Sequence, residues 1–133
     1  MSDDLARRAI ACKHWRWMPG MLTLEEVVPP AITLGWDAAR VLHADEGDAV
    51  RVCTVLRKVR DIHDTALPDL TDPPTLGCLL ALVREAWGDS DIYFGSSLST
   101  KRKRWSWVMG GGDCIGQGDT EAEALLATLE AAP

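Results

Sequence analysis

Residues 91–110 read DIYFGSSLSTKRKRWSWVMG and contain the clearest strand signal in the chain. Residues two apart point the same way when a backbone is extended. Trp105 and Trp107 therefore share one face of a strand over 104–109, and a partner strand covers 91–95. The polar and basic residues between the two strands are typical of an exposed loop. This stretch predicts a β-hairpin.

A helix is predicted just before the hairpin. Asp72 suits the N-cap, and Pro73 suits the first helical position, where its missing N–H costs no hydrogen bond. Gly88 is a typical end for this helix. Apolar residues recur between these limits at helical spacing: Leu76, Leu79, Leu80, Val83 and Trp87. The pattern indicates a helix with one buried face.

A second helix is predicted after the hairpin. Thr120 and Glu123 have the spacing of a capping box. The apolar stripe behind them consists of Ala122, Leu125, Leu126 and Leu129. Cys114-Ile115 indicates a short extra strand before this helix. Together these elements predict an α+β fold, an antiparallel sheet with two helices packed on one face.

The N-terminal half is predicted to add a helix and a hairpin. Residues 3–13 favour a helix, and 21–28 favour a strand or an extended arm. Residues 40–57 allow two interpretations: a hairpin with strands over 40–44 and 50–56, or one helix. Three valines among seven residues favour the hairpin.

We expect all of 1–133 to form a single domain. The N-terminal helix and strands occupy 1–66, and the helix–hairpin–helix half occupies 67–133. Residues 67–71 are predicted to be an extended linker between them.

The charge of the chain indicates which partners suit it. The formal net charge is −6, although residues 101–104 are all positive, so the rest of the chain is more acidic than the whole. An acidic body repels phosphates, which counts against nucleic acid as a general partner and favours a basic protein surface. No apolar run is long enough to span a membrane, and no secretory segment follows the acidic start. We therefore expect a cytoplasmic protein with reduced cysteines and no membrane partner.

Residues that carry out chemistry are sparse. Cys12 and His14 form one close pair, whereas zinc sites usually show two, so no metal site is predicted. His63 has carboxylates nearby on both sides, but no nucleophile motif accompanies it, and a solvated polar turn explains it better. The sequence therefore predicts a non-enzymatic protein with no catalytic residues, metal or cofactor.

Two surfaces are candidates for binding a partner. The first is the basic loop with its indoles: Lys101, Arg102, Lys103, Arg104, Trp105 and Trp107. Cations there would neutralise phosphates while an indole stacks on a base. The interpretation that we favour instead packs the indoles beneath the helices and leaves the cations exposed. The second candidate surface is acidic: Asp45, Glu46 and Asp48 on a loop tip, with Asp61 and Asp64 before the central helix.

Three segments resemble phage proteins. Residues 11–21, ACKHWRWMPGM, and 67–87, LPDLTDPPTLGCLLALVREAW, resemble small accessory proteins of tailed phages and prophages. Residues 120–132, TEAEALLATLEAA, resemble the last helix of phage proteins with an ABA-sandwich domain. The resemblance implies an accessory protein in the host cytoplasm rather than a capsid or tail component.

The resemblance, the acidity and the missing catalytic motifs lead to one functional hypothesis. We expect a non-enzymatic phage protein that binds and inhibits a host protein, most concretely an anti-CRISPR-like counter-defence inhibitor. The host protein would be one that normally receives nucleic acid in a basic groove. The alternative is a nucleic-acid-binding phage accessory protein that uses the basic hairpin 101–107, and a structural or assembly factor is a third possibility.

Overall fold

Helices and antiparallel strands alternate along the part of the chain that the computed structural model describes, residues 3–26, 36–44 and 49–133. The helices are α1 (Asp3–Ala11), α2 (Pro73–Trp87) and α3 (Glu121–Glu130). The strands are β1 (Leu22–Glu26), β2 (Trp36–His43), β3 (Arg51–Thr54), β4 (Val59–Asp61), β5 (Leu67–Pro68), β6 (Tyr93–Leu98), β7 (Arg104–Gly110) and β8 (Asp113–Gly118). The α+β class is confirmed, but the strands form two antiparallel sheets rather than one.

The chain folds into two compact units. The first contains Met1–Ile10 and Arg16–Thr75, and the second contains Ala11–Trp15 and Leu76–Pro133. Thr75 and Leu76, where the two units divide, both lie in α2. That 1–133 forms one domain stays a prediction.

The first unit contains a five-stranded sheet in the order β4-β3-β2-β1-β5. Residues 67–71 are predicted to be a linker, yet their first two residues are β5, with Pro68 opposite Thr23 of β1. A proline has no N–H to donate, so it is tolerated in an edge strand such as this one. The linker prediction is therefore wrong for Leu67 and Pro68.

The ambiguous stretch 40–57 contains a hairpin of β2 and β3 rather than a helix, but the second strand covers only Arg51–Thr54 instead of 50–56. Val41 of β2 lies opposite Val52 of β3, and both side chains are buried. The helical interpretation is wrong because alternate residues, not residues three or four apart, face the core of this sheet. The predicted loop tip at 45–48 lies outside the described residues.

The second unit contains a three-stranded sheet in the order β6-β7-β8. The predicted hairpin is confirmed as β6 and β7, with Gly95 opposite Trp107. The short strand expected at residues 114–115 is confirmed and is longer, as β8.

Helix α3 lies very close to this sheet. A Cβ on Gly116 would lie 2.9 Å from the backbone oxygen of Ala124, and a Cβ on Gly118 would lie 2.9 Å from the Ala124 nitrogen. Both distances are far below van der Waals contact, so only glycine fits at these two positions of β8. The helix therefore rests on the backbone of the strand itself.

The starts of both long helices are confirmed. Thr120 Oγ1 accepts a hydrogen bond from Glu123 N at 3.1 Å, and the Glu123 carboxylate accepts one from Asp119 N at 2.9 Å. The predicted stripe of α3 is buried, whereas in α2 the buried apolar residues are Leu79, Leu82 and Val83. None of the helices within the described ranges is long and apolar enough to cross a membrane.

Candidate binding face on the second sheet

Strand β7 presents two different faces. Ser106 and Val108 are buried, and their partners across the strand are Gly118 and Gly116, the residues that meet α3. Since neighbouring residues of a strand alternate between faces, the indoles point to the opposite side. We call this side the aromatic face, and its residues are Tyr93, Gly95 and Ser97 of β6 with Trp105, Trp107 and Met109 of β7.

The interpretation that packs the indoles beneath the helices is therefore wrong for α3, the helix on this sheet. Because α3 approaches the backbone of β8 so closely, the side of β7 that faces it holds the small residues Ser106 and Val108. Trp105 and Trp107 are instead half-buried.

The Trp107 side chain is held in one orientation by three neighbours on β6. Its Nε1 donates a hydrogen bond to Ser97 Oγ at 2.9 Å. Its rings meet Tyr93 edge to face, with centroids 5.7 Å apart and planes at 89°. Its benzo ring occupies the space beside Gly95, where a Cβ would lie 2.7 Å from Trp107 Cζ2. This indole is therefore positioned before any ligand arrives.

Tyr93 extends the aromatic face toward solvent. Its side chain is 53% exposed, which is high for a residue that also packs against an indole. The phenol ring of Tyr93 stands at right angles to the fixed indole of Trp107, so the two rings together form an apolar recess. Such a recess suits a planar, polarisable group that stacks.

The four cations lie in and beside the tight turn that joins β6 to β7. Arg102 N donates to Ser99 O at 2.8 Å, Ser99 N donates to Lys103 O at 2.8 Å, and Arg102 has a φ of 58°. This is a three-residue hairpin loop with a left-handed residue at its end. All four side chains of this basic turn, Lys101, Arg102, Lys103 and Arg104, are exposed.

Lys103 of the basic turn forms a weak ion pair. Lys103 Nζ lies 3.6 Å from Asp119 Oδ1, and the two side chains are 72% and 69% exposed. Exposed pairs contribute little because water and salt screen them. Lys103 is therefore available to an anionic ligand.

A groove of about 300 Å³ lies at the other end of the aromatic face. It is lined by Asp89, Asp91, Tyr93, Met109 and residues 110–112. Tyr93 and Met109 belong both to the groove and to the aromatic face. Residues 110–112 are all glycine, and the residues that line the groove include no cation that would hold a phosphate.

The structure describes only part of the predicted acidic surface. Asp45, Glu46 and Asp48 lie outside the described residues. Asp61 and Asp64 belong to the first unit and are exposed, and Asp61 pairs with Arg51 at 3.4 Å.

Sequence reasoning missed a buried carboxylate in the first unit. Glu25 of β1 is 1% exposed and forms an ion pair with Arg60 of β4. Its Oε1 accepts a hydrogen bond from His63 N at 3.2 Å, and His63 Nε2 lies 3.8 Å from its Oε2. His63 therefore binds the buried carboxylate through its backbone N–H and is not only part of a solvated turn. The arginine and the backbone N–H together satisfy the carboxylate, which is what a buried charge requires.

Sequence reasoning also missed the β6 half of the aromatic face. Tyr93, Gly95 and Ser97 alternate with residues of the other face, and their pairing with Trp107 depends on the hairpin register. Once the register is known, Gly95 opposite Trp107 indicates that the indole lies close to the backbone of β6, because glycine in a strand often marks such an approach.

Among the described residues, no group of three or more potential ligands is placed to hold a metal ion. All four cysteines are free thiols. Comparison with protein-family models, curated proteins and solved structures finds no match to this chain. The resemblance to phage proteins therefore stays a prediction, as does the absence of enzymatic activity.

Proposed function

We propose that this protein binds single-stranded nucleic acid through the aromatic face and the adjacent basic turn. The observation that supports this most is the fixed orientation of Trp107, which Ser97, Tyr93 and Gly95 position on the side of the sheet that α3 does not cover. Stacking of bases on aromatic side chains contributes about 1–3 kcal/mol per base and is independent of sequence. A side chain that is already positioned loses little entropy when a base stacks on it.

The basic turn supplies the charge that such a ligand needs. Lys101, Arg102, Lys103 and Arg104 are consecutive and exposed at the end of the strand that contains both indoles. The net charge of −6 opposes a polyanion at long range. At physiological ionic strength, however, charges separated by more than about 8 Å are largely screened, so the local cations dominate the encounter.

Single strands suit this face better than duplexes. Trp105 and Trp107 are two residues apart on a strand, a separation of about 7 Å, so they offer two successive stacking positions. In a duplex the base faces are already occupied by their neighbours, and proteins stack on bases mainly where strands are unpaired. Local cations beside stacking aromatics are the arrangement found in sequence-tolerant single-strand binders.

The basic turn is tested by replacing Lys101, Arg102, Lys103 and Arg104 together with Ser. Binding of a fluorescent single-stranded oligonucleotide is measured by anisotropy over a range of salt concentrations. We expect weaker binding for all sequences, and a salt slope reduced by about 0.7 for each phosphate that is no longer neutralised. A duplex of the same sequence should compete poorly.

The aromatic face is tested with variants that leave the charges unchanged. Trp107→Leu should weaken binding by about tenfold if one stacked base is lost. Ser97→Ala is the finer change, because it frees the indole without removing it and should weaken binding less. Leu98→Ala is the matched control, since Leu98 lies on β6 beside Ser97 but is not part of the aromatic face. Native chain that fails to bind single strands at physiological salt would refute the proposal.

A second experiment tests the alternative hypothesis, that the protein is an anti-CRISPR-like inhibitor of a host protein. Tagged protein is used to capture partners from host lysate with and without nuclease. Recovery of one specific protein after nuclease treatment would favour the inhibitor, and recovery of nucleic acid alone would favour our proposal. A charge reversal at Asp61 and Asp64 that abolishes the protein partner would strengthen the inhibitor hypothesis further.

A further inference from the structure

The turn between β3 and β4 has the same construction as the basic turn. Arg57 N donates to Thr54 O at 2.9 Å, Thr54 N donates to Lys58 O at 2.9 Å, and Lys58 N donates to Thr54 Oγ1 at 3.2 Å. Arg57 has a φ of 59°. We call this segment, residues 54–58, the apolar-tipped turn.

Each of these features has a counterpart in the second unit. Ser99 takes the place of Thr54. Its backbone oxygen accepts a hydrogen bond from Arg102 N and its N donates one to Lys103 O, both at 2.8 Å. Its Oγ accepts a third from Lys103 N at 3.2 Å. Arg102, with a φ of 58°, takes the place of Arg57. Both units therefore present an Arg-Lys pair on a three-residue loop that corresponding hydrogen bonds close.

The two turns differ at their tips. The apolar-tipped turn has Val55 and Leu56 where the basic turn has Thr100 and Lys101. Val55 is 75% exposed and Leu56 is 76% exposed, and Val59 at the start of β4 is 52% exposed. Single exposed aliphatic side chains are ordinary, but neighbouring ones at the tip of one hairpin indicate a binding site.

We infer that Val55 and Leu56 form a wedge that inserts between adjacent bases of a bound nucleic acid. Arg57 and Lys58 would then bind the flanking phosphates. Minor-groove proteins insert apolar side chains between adjacent bases of a duplex, and the stacked bases of a single strand offer an apolar gap of the same kind. This inference rests on the proposed function and adds a second binding site to it, in the first unit.

Charge and apolarity together restrict the occupant to two classes. An apolar tip beside two cations suits a partner that is anionic outside and apolar inside, a description that fits both stacked nucleic acid and an anionic lipid surface. The observations favour nucleic acid, because the turn of the same construction in the second unit lies beside fixed aromatic side chains that suit bases. Lipid is then an outcome of the test.

The test uses the full chain and single strands of about 16 nucleotides, the upper range of sites for one small binding domain. Each strand contains one 2-aminopurine, placed at a different position, whose fluorescence increases when it loses its stacked neighbour. We expect an increase at one or a few positions with the native chain. The double variant Val55→Ser with Leu56→Ser should lose the increase and bind about tenfold more weakly. Its melting temperature should not change, because both side chains are exposed.

The matched control is Leu42→Ser, which makes the same chemical change at a side chain on β2 that is exposed but lies outside both turns, and it should retain the increase. If the double variant binds and still shows the increase, the wedge is refuted while the proposed function stands. If the native chain binds no oligonucleotide, the proposed function and the wedge fail together. Sedimentation of the native chain with phosphatidylserine vesicles, lost in the double variant, would then identify the tip as a membrane-binding site and overturn the wedge.

Discussion

Arg40 of β2 donates two hydrogen bonds to the carboxylate of Asp72, from Nη1 to Oδ2 at 2.6 Å and from Nη2 to Oδ1 at 3.2 Å. Asp72 is also the N-cap of α2, since its Oδ2 accepts from Thr75 N at 3.1 Å and from Thr75 Oγ1 at 2.8 Å. Thr75 Oγ1 in turn accepts from Leu22 N at 2.8 Å. One carboxylate therefore links the start of a helix to a strand of the first sheet.

Replacing Asp72 should reveal two separate contributions. Asp72→Asn keeps a capping side chain but loses the charge-assisted pair, and we expect it to lower the free energy of unfolding by about 1 kcal/mol, since Arg40 is partly exposed. Asp72→Ala removes cap and pair and should lower it by about 2 kcal/mol. Urea denaturation measures both values. Equal losses in the two variants would show that the cap contributes nothing.

The same carboxylate should make stability depend on acid pH. Burial raises the pKa of Asp72, but hydrogen bonds from Arg40 and Thr75 and the charge of Arg40 lower it more, so that the pKa lies below the ordinary value of an aspartate. A lowered pKa stabilises the fold above the pKa of the unfolded chain, and this stabilisation disappears as the pH falls through the pKa of the folded state. Thermal melts between neutral and acid pH should therefore converge for native protein and Asp72→Asn. A constant gap between them down to the most acidic pH would contradict this assignment.

Both turns contain an arginine in a conformation that glycine adopts more easily. The left-handed region costs an L-residue roughly 1 kcal/mol. Arg57→Gly and Arg102→Gly should therefore each raise the free energy of unfolding by about 0.5 kcal/mol, because glycine also loses more backbone entropy on folding. Alanine at either position removes the same charge but keeps the strain, so it is the control. A glycine variant no more stable than its alanine counterpart would rule out backbone strain as the cause.

Two glycines should respond to alanine in opposite directions. Gly116→Ala would force a Cβ to within 2.9 Å of the Ala124 oxygen, and a loss of about 1–3 kcal/mol is expected from this overpacking. Gly77, exposed within α2, has no atom within 4 Å of the added Cβ. Gly77→Ala should instead raise the free energy of unfolding by up to about 1 kcal/mol, which is the difference in helix propensity between alanine and glycine. A harmless Gly116→Ala would mean that α3 does not rest on β8 in solution.

The last helix should contribute strongly to stability. Leu126 is fully buried, so Leu126→Ala should cost about 2–5 kcal/mol. Leu98→Ala, at a side chain that is 66% exposed, should change stability by less than about 0.5 kcal/mol. Calorimetric melting of both variants tests the difference, and an unchanged melting temperature for Leu126→Ala would show that the helix is not docked.

Local signals in the sequence predicted most of the elements. The capping residues Asp72 and Thr120 and the apolar spacing behind them located α2 and α3, because a helix start depends on hydrogen bonds between residues three positions apart. The valines of 50–56 favoured a hairpin over a helix because β-branched side chains fit a strand, although only Val52 among them lies in β3. Pairs of distant residues were not predicted: Glu25 lies 35 positions from Arg60, and nothing near either residue indicates the pair.

The basic turn and the alternation of Trp105 with Ser106 were determined by the sequence alone, because both depend only on neighbouring residues. Which face of β7 meets a helix was decided only by the tertiary structure. Glycines at 116 and 118, on a different strand, let the backbone of α3 approach within a distance that no indole would tolerate. The indoles therefore occupy the opposite face, where Gly95, Ser97 and Tyr93 hold Trp107. The physical reason is steric: alternation makes two faces, and the available space beneath the helix determines which of them becomes the core.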